Sequence, residues 1–235
     1  MGNGRLIPRW AGRPPDWWKI TGRWRVEETA RFVPVPYITM SLIIISAFVF
    51  SYELARSTFD LGRLFQKWGV VPADLVDWLE SPDVSREPLT VVTSAFLHGD
   101  AVHFASNIAI LCILGIALER LLVRSFDNAG YWIFALTYVV SLLGATALQV
   151  ALTSDDTIPI VGASGAIAGI GGAYLMTDPR WAILIIVWFI LQAISGIATL
   201  GVDTRVAYYE HIGGFVTGCA CMLLLSALVL RTRGA

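Results

Sequence analysis

A serine and a histidine, each at the start of a glycine-rich apolar segment, could supply a nucleophile and its general base. Ser164 lies in the segment GASGAIAGIGGAY, and His211 begins the segment HIGGFVTG. On a helix each of them shares a face with small residues, which would let two membrane helices approach closely. These residues are Ala168, Gly171, Gly172 and Leu175 for Ser164, and Gly214 and Gly218 for His211. A hydroxyl beside an imidazole is the arrangement in which a base activates a nucleophile.

A second polar cluster precedes these segments. His98, His103 and Asn107 have the spacing H-x-x-x-x-H-x-x-x-N, and the last two share one helical face. Polar side chains at membrane depth are costly unless they are partnered or used. Amide and imidazole donors beside a nucleophile could form an oxyanion hole, which stabilises charge developing on a carbonyl oxygen. The alternative is interhelical hydrogen bonding that only ties the helices together.

Composition identifies the class of protein. Hydrophobic residues make up 56% of the 235 residues, charged residues make up 15%, and mean hydropathy is +0.66. These values exclude an ordinary soluble domain and predict an integral membrane protein. The cysteines have neither metal-ligand spacing nor the even number of a disulfide set, so we expect them to be packing residues. They are Cys112, Cys219 and Cys221.

Hydropathy predicts an all-α, polytopic protein with roughly six membrane spans. The predicted spans are about Tyr37–Leu54, Val102–Leu122, Tyr131–Leu152, Ile160–Thr177, Trp181–Leu200 and His211–Leu230. Residues 37–230 would form the membrane domain, between an Arg- and Trp-rich tail at residues 1–36 and a short tail at residues 231–235. The positive-inside rule places both termini in the cytoplasm, and we expect the plasma (inner) membrane. The long connection from Ala55 to Gly99 should form short amphipathic pieces at the outer surface.

This topology places Ser164 and His211 at comparable depth. Both lie near the outer ends of their predicted helices. From Ser164 to Asp178 there are about 14 residues, or roughly 21 Å, which is less than the roughly 30 Å thickness of the hydrocarbon core. The serine should therefore lie below the outer surface, at the bottom of a water-filled depression.

Together these motifs resemble those of the rhomboid intramembrane serine proteases, over about residues 37–230. The ordered elements are H-x-x-x-x-H-x-x-x-N, G-A-S-G-x-x-x-G and H-I-G-G, with softer matches at Trp68–Pro72, Glu119-Arg120, Trp188 and Gln192. The resemblance implies Ser164 as nucleophile and His211 as base, without a third acidic member. It also implies an oxyanion hole formed by Asn107, His103 and the backbone N–H of Ser164. The fifth span and a cap over the site would move to admit a substrate helix.

The chain departs from the family pattern in three places. Leu89 and Thr90 occupy the position of a usual Trp-Arg pair in the first loop. Ala168 replaces an aromatic residue that commonly stacks on the histidine. Glu210 replaces the small residue that usually precedes the histidine, and it could either tune the base or face the outer water. We expect His98 to hold the first loop and Glu119 to be structural.

The sequence therefore predicts a six-helix rhomboid-like bundle that is an intramembrane serine endopeptidase. It would cleave transmembrane protein substrates near the outer face of the membrane by a Ser/His dyad. Its environment is the lipid bilayer, and we expect no metal, organic cofactor or nucleic acid. Two alternatives stay open: an inactive rhomboid-like protein that binds membrane clients, and a small transporter, for which no repeat of two similar halves is evident.

Overall fold

The computed structural model describes residues 33–177, the single positions 183, 186, 187 and 190, and residues 208–234, with side chains up to Val229. The predicted tail at residues 1–36 lies almost wholly outside this part of the chain. The predicted fifth span, with Trp188 and Gln192, also lies outside it apart from the four single positions. Of the predicted tail at residues 231–235, the structure describes the backbone of residues 231–234.

The described chain is helical, which confirms the all-α class. In chain order the helices are α1 (Tyr37–Leu54), α2 (Thr58–Trp68), α3 (Pro72–Glu80), α4 (Glu87–Thr93), α5 (Ala101–Phe126), α6 (Ala129–Leu152), α7 (Ser164–Thr177) and α8 (Tyr208–Gly234). A 3₁₀ turn at Ser94–Phe96 follows α4, and a π-helical segment at Leu111–Gly115 interrupts α5.

Four of these helices are long and apolar enough to cross a membrane, and the protein is an integral membrane protein. They are α1, α5, α6 and the Tyr208–Val229 part of α8. The fourth predicted span is α7, which has 14 residues and is shorter than a full crossing. It begins at Ser164 rather than at the expected Ile160. The reason is that Ile160 pairs with Val70 through two backbone hydrogen bonds, at 3.0 and 2.7 Å, which hold the chain extended just before the helix.

Helix α7 is the buried centre of the bundle. Every residue from Gly165 to Tyr174 is buried, and the helix packs mainly on α8 and α6. A helix that is apolar and buried all round has no lipid-facing side, so its packing depends on small residues rather than on an amphipathic stripe.

Backbone contact between α7 and α8 depends on glycine. A Cβ at Gly214 would collide with the carbonyl oxygen of Gly165, and a Cβ at Gly218 would collide with that of Gly169. A Cβ at Gly172 would in turn collide with the carbonyl of Phe215. The smooth face of α8 is therefore the predicted one. On α7, Gly172 belongs to the predicted Ser164 face, but Gly165 and Gly169 each lie one residue along from it, a rotation of about 100°.

At the end of the bundle remote from Ser164, α5 holds the start of α1. The buried carboxylate of Glu119 accepts hydrogen bonds from the backbone N–H groups of Ile38 and Thr39 and from the Thr39 hydroxyl, at 2.9, 2.8 and 2.6 Å. Arg120 donates from Nε to the carbonyl of Pro34 at 3.1 Å. This agrees with the structural role expected of Glu119.

We predict that Gly218→Ala destabilises the bundle by about 1–3 kcal/mol, the usual cost of overpacking, because the methyl group would meet the Gly169 backbone. Alanine has a more favourable helix propensity than glycine by up to about 1 kcal/mol, so helix propensity alone would predict a gain in stability. The measurement is the unfolding midpoint of purified protein in detergent. Gly62→Ala is the control, since a Cβ there has no neighbour within 4 Å; equal effects of the two changes would contradict the close contact.

Candidate active site

Ser164 is the first residue of α7 and is partly exposed, unlike the helix that follows it. The turn before it is tightly held. Gly162 has a φ of +126°, which favours glycine, and its N–H donates to the carbonyl of Ser94 at 2.9 Å. Because the first N–H groups of a helix have no acceptor within it, the start of α7 offers backbone donors beside the Ser164 hydroxyl.

The first loop supports this turn. Val70, which pairs with Ile160, belongs to the Trp68–Pro72 motif, and the carbonyl of Trp68 accepts from the Thr93 hydroxyl at 2.7 Å. A Cβ at Gly69 would lie 2.9 Å from the Ile160 carbonyl oxygen. The motif therefore fixes the strand-like segment that leads into the nucleophile candidate.

His103 and Asn107 line the space above Gly162. A Cβ at Gly162 would lie 2.7 Å from both Cε1 and Nε2 of His103, and 3.6 Å from Nδ2 of Asn107. Asn107 is only 4% exposed, and its Nδ2 has no hydrogen-bond partner within the described part of the chain. A buried donor without a partner is rare in folded proteins and calls for a functional explanation. Here the donor lies above Gly162, which precedes Ser164 by two residues.

The start of α5 sets the direction of these two side chains. The Asp100 carboxylate caps the helix by accepting from the N–H groups of Val102 and His103, at 2.8 and 2.9 Å. One turn after Asn107 the helix passes into the π-helical segment, a feature that often occurs at functional sites.

His211 lies in the first turn of α8 and is 6% exposed. Its imidazole interacts electrostatically with that of His103. The adjacent residue Glu210 packs on the residue that follows Ser164, since a Cβ at Gly165 would lie 2.7 Å from Glu210 Cγ. The structure thus brings together the first two turns of α5, which carry His103 and Asn107, with the first turns of α7 and α8, which carry Ser164 and His211.

Glu210 faces the protein interior, which excludes one of its two alternatives, exposure to the outer water. It is 3% exposed, and its backbone N–H donates to Gln149 Oε1 of α6 at 3.1 Å. Its side chain fills the junction between α6, α7 and α8, behind the first turn of α7.

The aromatic residue that contacts His211 is Tyr208 of α8, not a residue of α7. Ala168, where the family commonly has an aromatic residue, is buried against the neighbouring helices. The ring of Tyr208 lies edge-on to His211 instead, with centroids 6.5 Å apart and planes at 88°. This contact lies within α8, one turn before the histidine.

His98 holds the loop before α5, as expected. Its backbone N–H donates to both carboxylate oxygens of Glu53, at 3.0 and 3.2 Å, and its Nδ1 donates to the Phe96 carbonyl at 3.1 Å. Burial, and secondly the neighbouring His103, lower the pKa of His98 to about 4, so its ring is neutral at neutral pH. Glu53 was not singled out from the sequence, although an acidic residue inside an apolar span was an available signal.

Comparison with known proteins places this arrangement in a family. The family model for the rhomboid domain matches residues 85–228, well over half of the chain. The chain belongs to the rhomboid family. RHOMBOID-like protein 4 of Arabidopsis thaliana is 34% identical over 142 residues, which cover 58% of this chain and 33% of that protein. RHOMBOID-like protein 2 of the same plant is 35% identical over 144 residues, which cover 57% and 42%. The matches thus span less than half the length of these relatives.

We predict that the parent protein reacts with a serine-directed fluorophosphonate and that Gly162→Ala, although still folded, does not. The new methyl group would meet the His103 ring, and alanine at a φ of +126° is strained by about 1–3 kcal/mol. Labelling followed by gel fluorescence measures the effect. Gly99→Ala is the matched loop control, because nothing lies within 4 Å of a Cβ there. Undiminished labelling of Gly162→Ala would contradict the geometry of the turn.

The depressed pKa of His98 predicts a pH-dependent stability. The unfolded chain takes up this proton near pH 6.5 and the folded chain only near pH 4, so folding stability should fall as the pH falls through this window and be fully present above it. The unfolding midpoint measured between neutral pH and about pH 5 tests this. His98→Gln, which cannot titrate, should have a shallower slope than the parent; identical slopes would show that His98 is not the source.

Proposed function

We propose that this rhomboid is an intramembrane serine endopeptidase that uses Ser164 as nucleophile and His211 as general base. The observation that carries the proposal is the buried Nδ2 of Asn107, which has no hydrogen-bond partner among the described residues and lies above the turn that leads into Ser164, where the starts of α5, α7 and α8 converge. A donor without an acceptor, beside a hydroxyl at a helix start, suits a site that binds a developing oxyanion.

The reaction would proceed in two halves. Ser164 Oγ attacks the peptide carbonyl carbon while His211 takes the hydroxyl proton, and the negative charge forms on the carbonyl oxygen. Asn107, His103 and the Ser164 N–H stabilise that oxygen. His211 then gives its proton to the leaving amine as the peptide bond breaks. Water attacks the resulting ester, passes a proton to His211, and the released Ser164 oxygen takes it back.

The burial of the site suits this chemistry. His211 and Asn107 are buried, whereas Ser164 is partly exposed. Exclusion of bulk water strengthens hydrogen bonds to a developing charge, and the exposed side of the serine leaves an approach for substrate and for the hydrolytic water. We propose that this end of the bundle faces the outer side, with both termini in the cytoplasm.

The substrate class we propose is single-span membrane protein cut near the outer end of its helix. A peptide bond inside a stable helix does not present its carbonyl freely, so segments weakened by Gly or Pro should be preferred. Such a segment would have to reach Ser164 from the lipid side.

We predict that the purified parent in liposomes cleaves a generic single-span substrate and that Ser164→Ala and His211→Ala abolish cleavage. Removing either half of the dyad removes the nucleophile or its activation. Asn107→Ala should keep binding but lower kcat roughly 10²–10³-fold, the usual effect of losing one oxyanion donor. Gel analysis of substrate and product measures the cleavage.

Ser51→Ala is the matched control, because this exposed serine bonds only to the carbonyl of Ala47 on its own helix. It should cleave like the parent. A folded parent that neither cuts nor reacts with a fluorophosphonate, yet retains single-span proteins, would replace the protease proposal by the client-binding alternative. Cleavage that survives Ser164→Ala would refute the nucleophile.

A further inference from the structure

We infer that Glu53, at the end of α1, is a positioning residue that fixes the orientation of His103 through His98. The inference rests on the proposed function in so far as His103 acts on the oxyanion. The geometric part, a carboxylate on one helix that orients an imidazole on another, stands on the contacts alone.

The first contact in the series from Glu53 to His103 joins α1 to the loop before α5. Glu53 is 2% exposed, and both of its carboxylate oxygens accept from the single backbone N–H of His98. This N–H lies outside any helix and is buried, so without Glu53 it would lose its acceptor, at a cost of about 1–3 kcal/mol. The carboxylate therefore fixes where the His98 backbone lies relative to α1.

A cluster of four rings then transmits that position to the site. Phe50, one turn before Glu53, stacks on Phe104 of α5 with centroids 4.3 Å apart and planes at 6°. His98 lies edge-on to both of these rings, with its centroid 6.3 and 5.2 Å from theirs. On its remaining side His98 packs against His103, at 5.4 Å and 62°.

The ring of His98 has no freedom to absorb a shift of its backbone. Its Nδ1 is bonded to the Phe96 carbonyl at 3.1 Å, and two phenyl rings enclose it. A displaced His98 backbone must therefore displace the ring, and the ring contacts His103. His103 in turn lies against Gly162, so its orientation decides where its Nε2 lies above the turn before Ser164.

Glu119 provides a matched control within the same pair of helices. It is likewise a buried carboxylate that ties α1 to α5, but at the opposite end of the bundle. Loss of Glu119 should weaken the fold without touching the ring cluster. Comparison of Glu53→Ala with Glu119→Ala therefore separates positioning from stability.

The chain contains only three histidines, and all three belong to this region. Protein labelled with ¹⁵N on histidine therefore gives imidazole signals from His98, His103 and His211 alone. We expect Glu53→Ala to shift the signals of His98 and His103, whereas Glu119→Ala lowers the unfolding midpoint and leaves them in place. Glu53→Gln keeps an oxygen that can accept from the His98 N–H and should restore the parent signals.

In the cleavage assay, Glu53→Ala should lower kcat roughly 10- to 100-fold with little change in KM, the scale expected when a catalytic group is misplaced by about an ångström. In an Asn107→Ala background, Glu53→Ala should lower kcat by a smaller factor, because the oxyanion site is already impaired. If Glu53→Ala lowers kcat by the same factor in both backgrounds, Glu53 has a merely structural role.

The two proposals fail differently. If the parent does not cut, the proposed function fails, but the shift of the His98 and His103 signals still decides the positioning role. If the parent cuts and Glu53→Ala changes neither those signals nor kcat, the inference about Glu53 is overturned. Should Glu53→Ala not fold, Phe104→Leu disturbs the cluster from the α5 side and should shift the same two signals; unchanged signals there would also overturn it.

Discussion

The close approach of α7 and α8 is the constraint on which the rest of the structure depends. In a bilayer there is no hydrophobic force that drives one helix onto another, so association depends on van der Waals contact between smooth surfaces. Gly214 and Gly218 of α8 lie directly over carbonyl groups of α7, which no side chain would permit. Because these glycines follow His211 by one and two turns, the contact that holds the helices together also sets the depth of the proposed base.

The two buried carboxylates that tie α1 to α5 or to the loop before it have hydrogen-bond partners, whereas the Asn107 amide at the site does not have one within the described part of the chain. Glu119 and Glu53 each accept backbone N–H groups, one at either end of α1. A buried carboxylate is tolerated when such donors satisfy it. Asn107 Nδ2 lacks a hydrogen-bond partner among the described residues, and it lies beside His103 above the turn before Ser164. This contrast distinguishes the two carboxylates, which hold helices together, from Asn107, which we propose to be an oxyanion donor.

Much of this organisation could be predicted from the sequence, because hydropathy and small-residue spacing are local properties. Among the described residues they located four membrane spans, the smooth face of α8 and the polar cluster at His103 and Asn107. The start of α7 at Ser164 could not be predicted from local sequence. It depends on the pairing of Ile160 with Val70, which lies almost a hundred residues earlier. The inward direction of Glu210 and the link from Glu53 to His98 also depend on tertiary approach, which no local pattern encodes.

The absence of an aromatic residue at position 168 follows from the same close packing. Ala168 is 1% exposed, so a ring at this position would have to displace the groups already packed around it. Tyr208 contacts His211 from within α8 and needs no space on α7. His211 thus has an aromatic contact within its own helix, while α7 approaches α8 as closely as glycine allows.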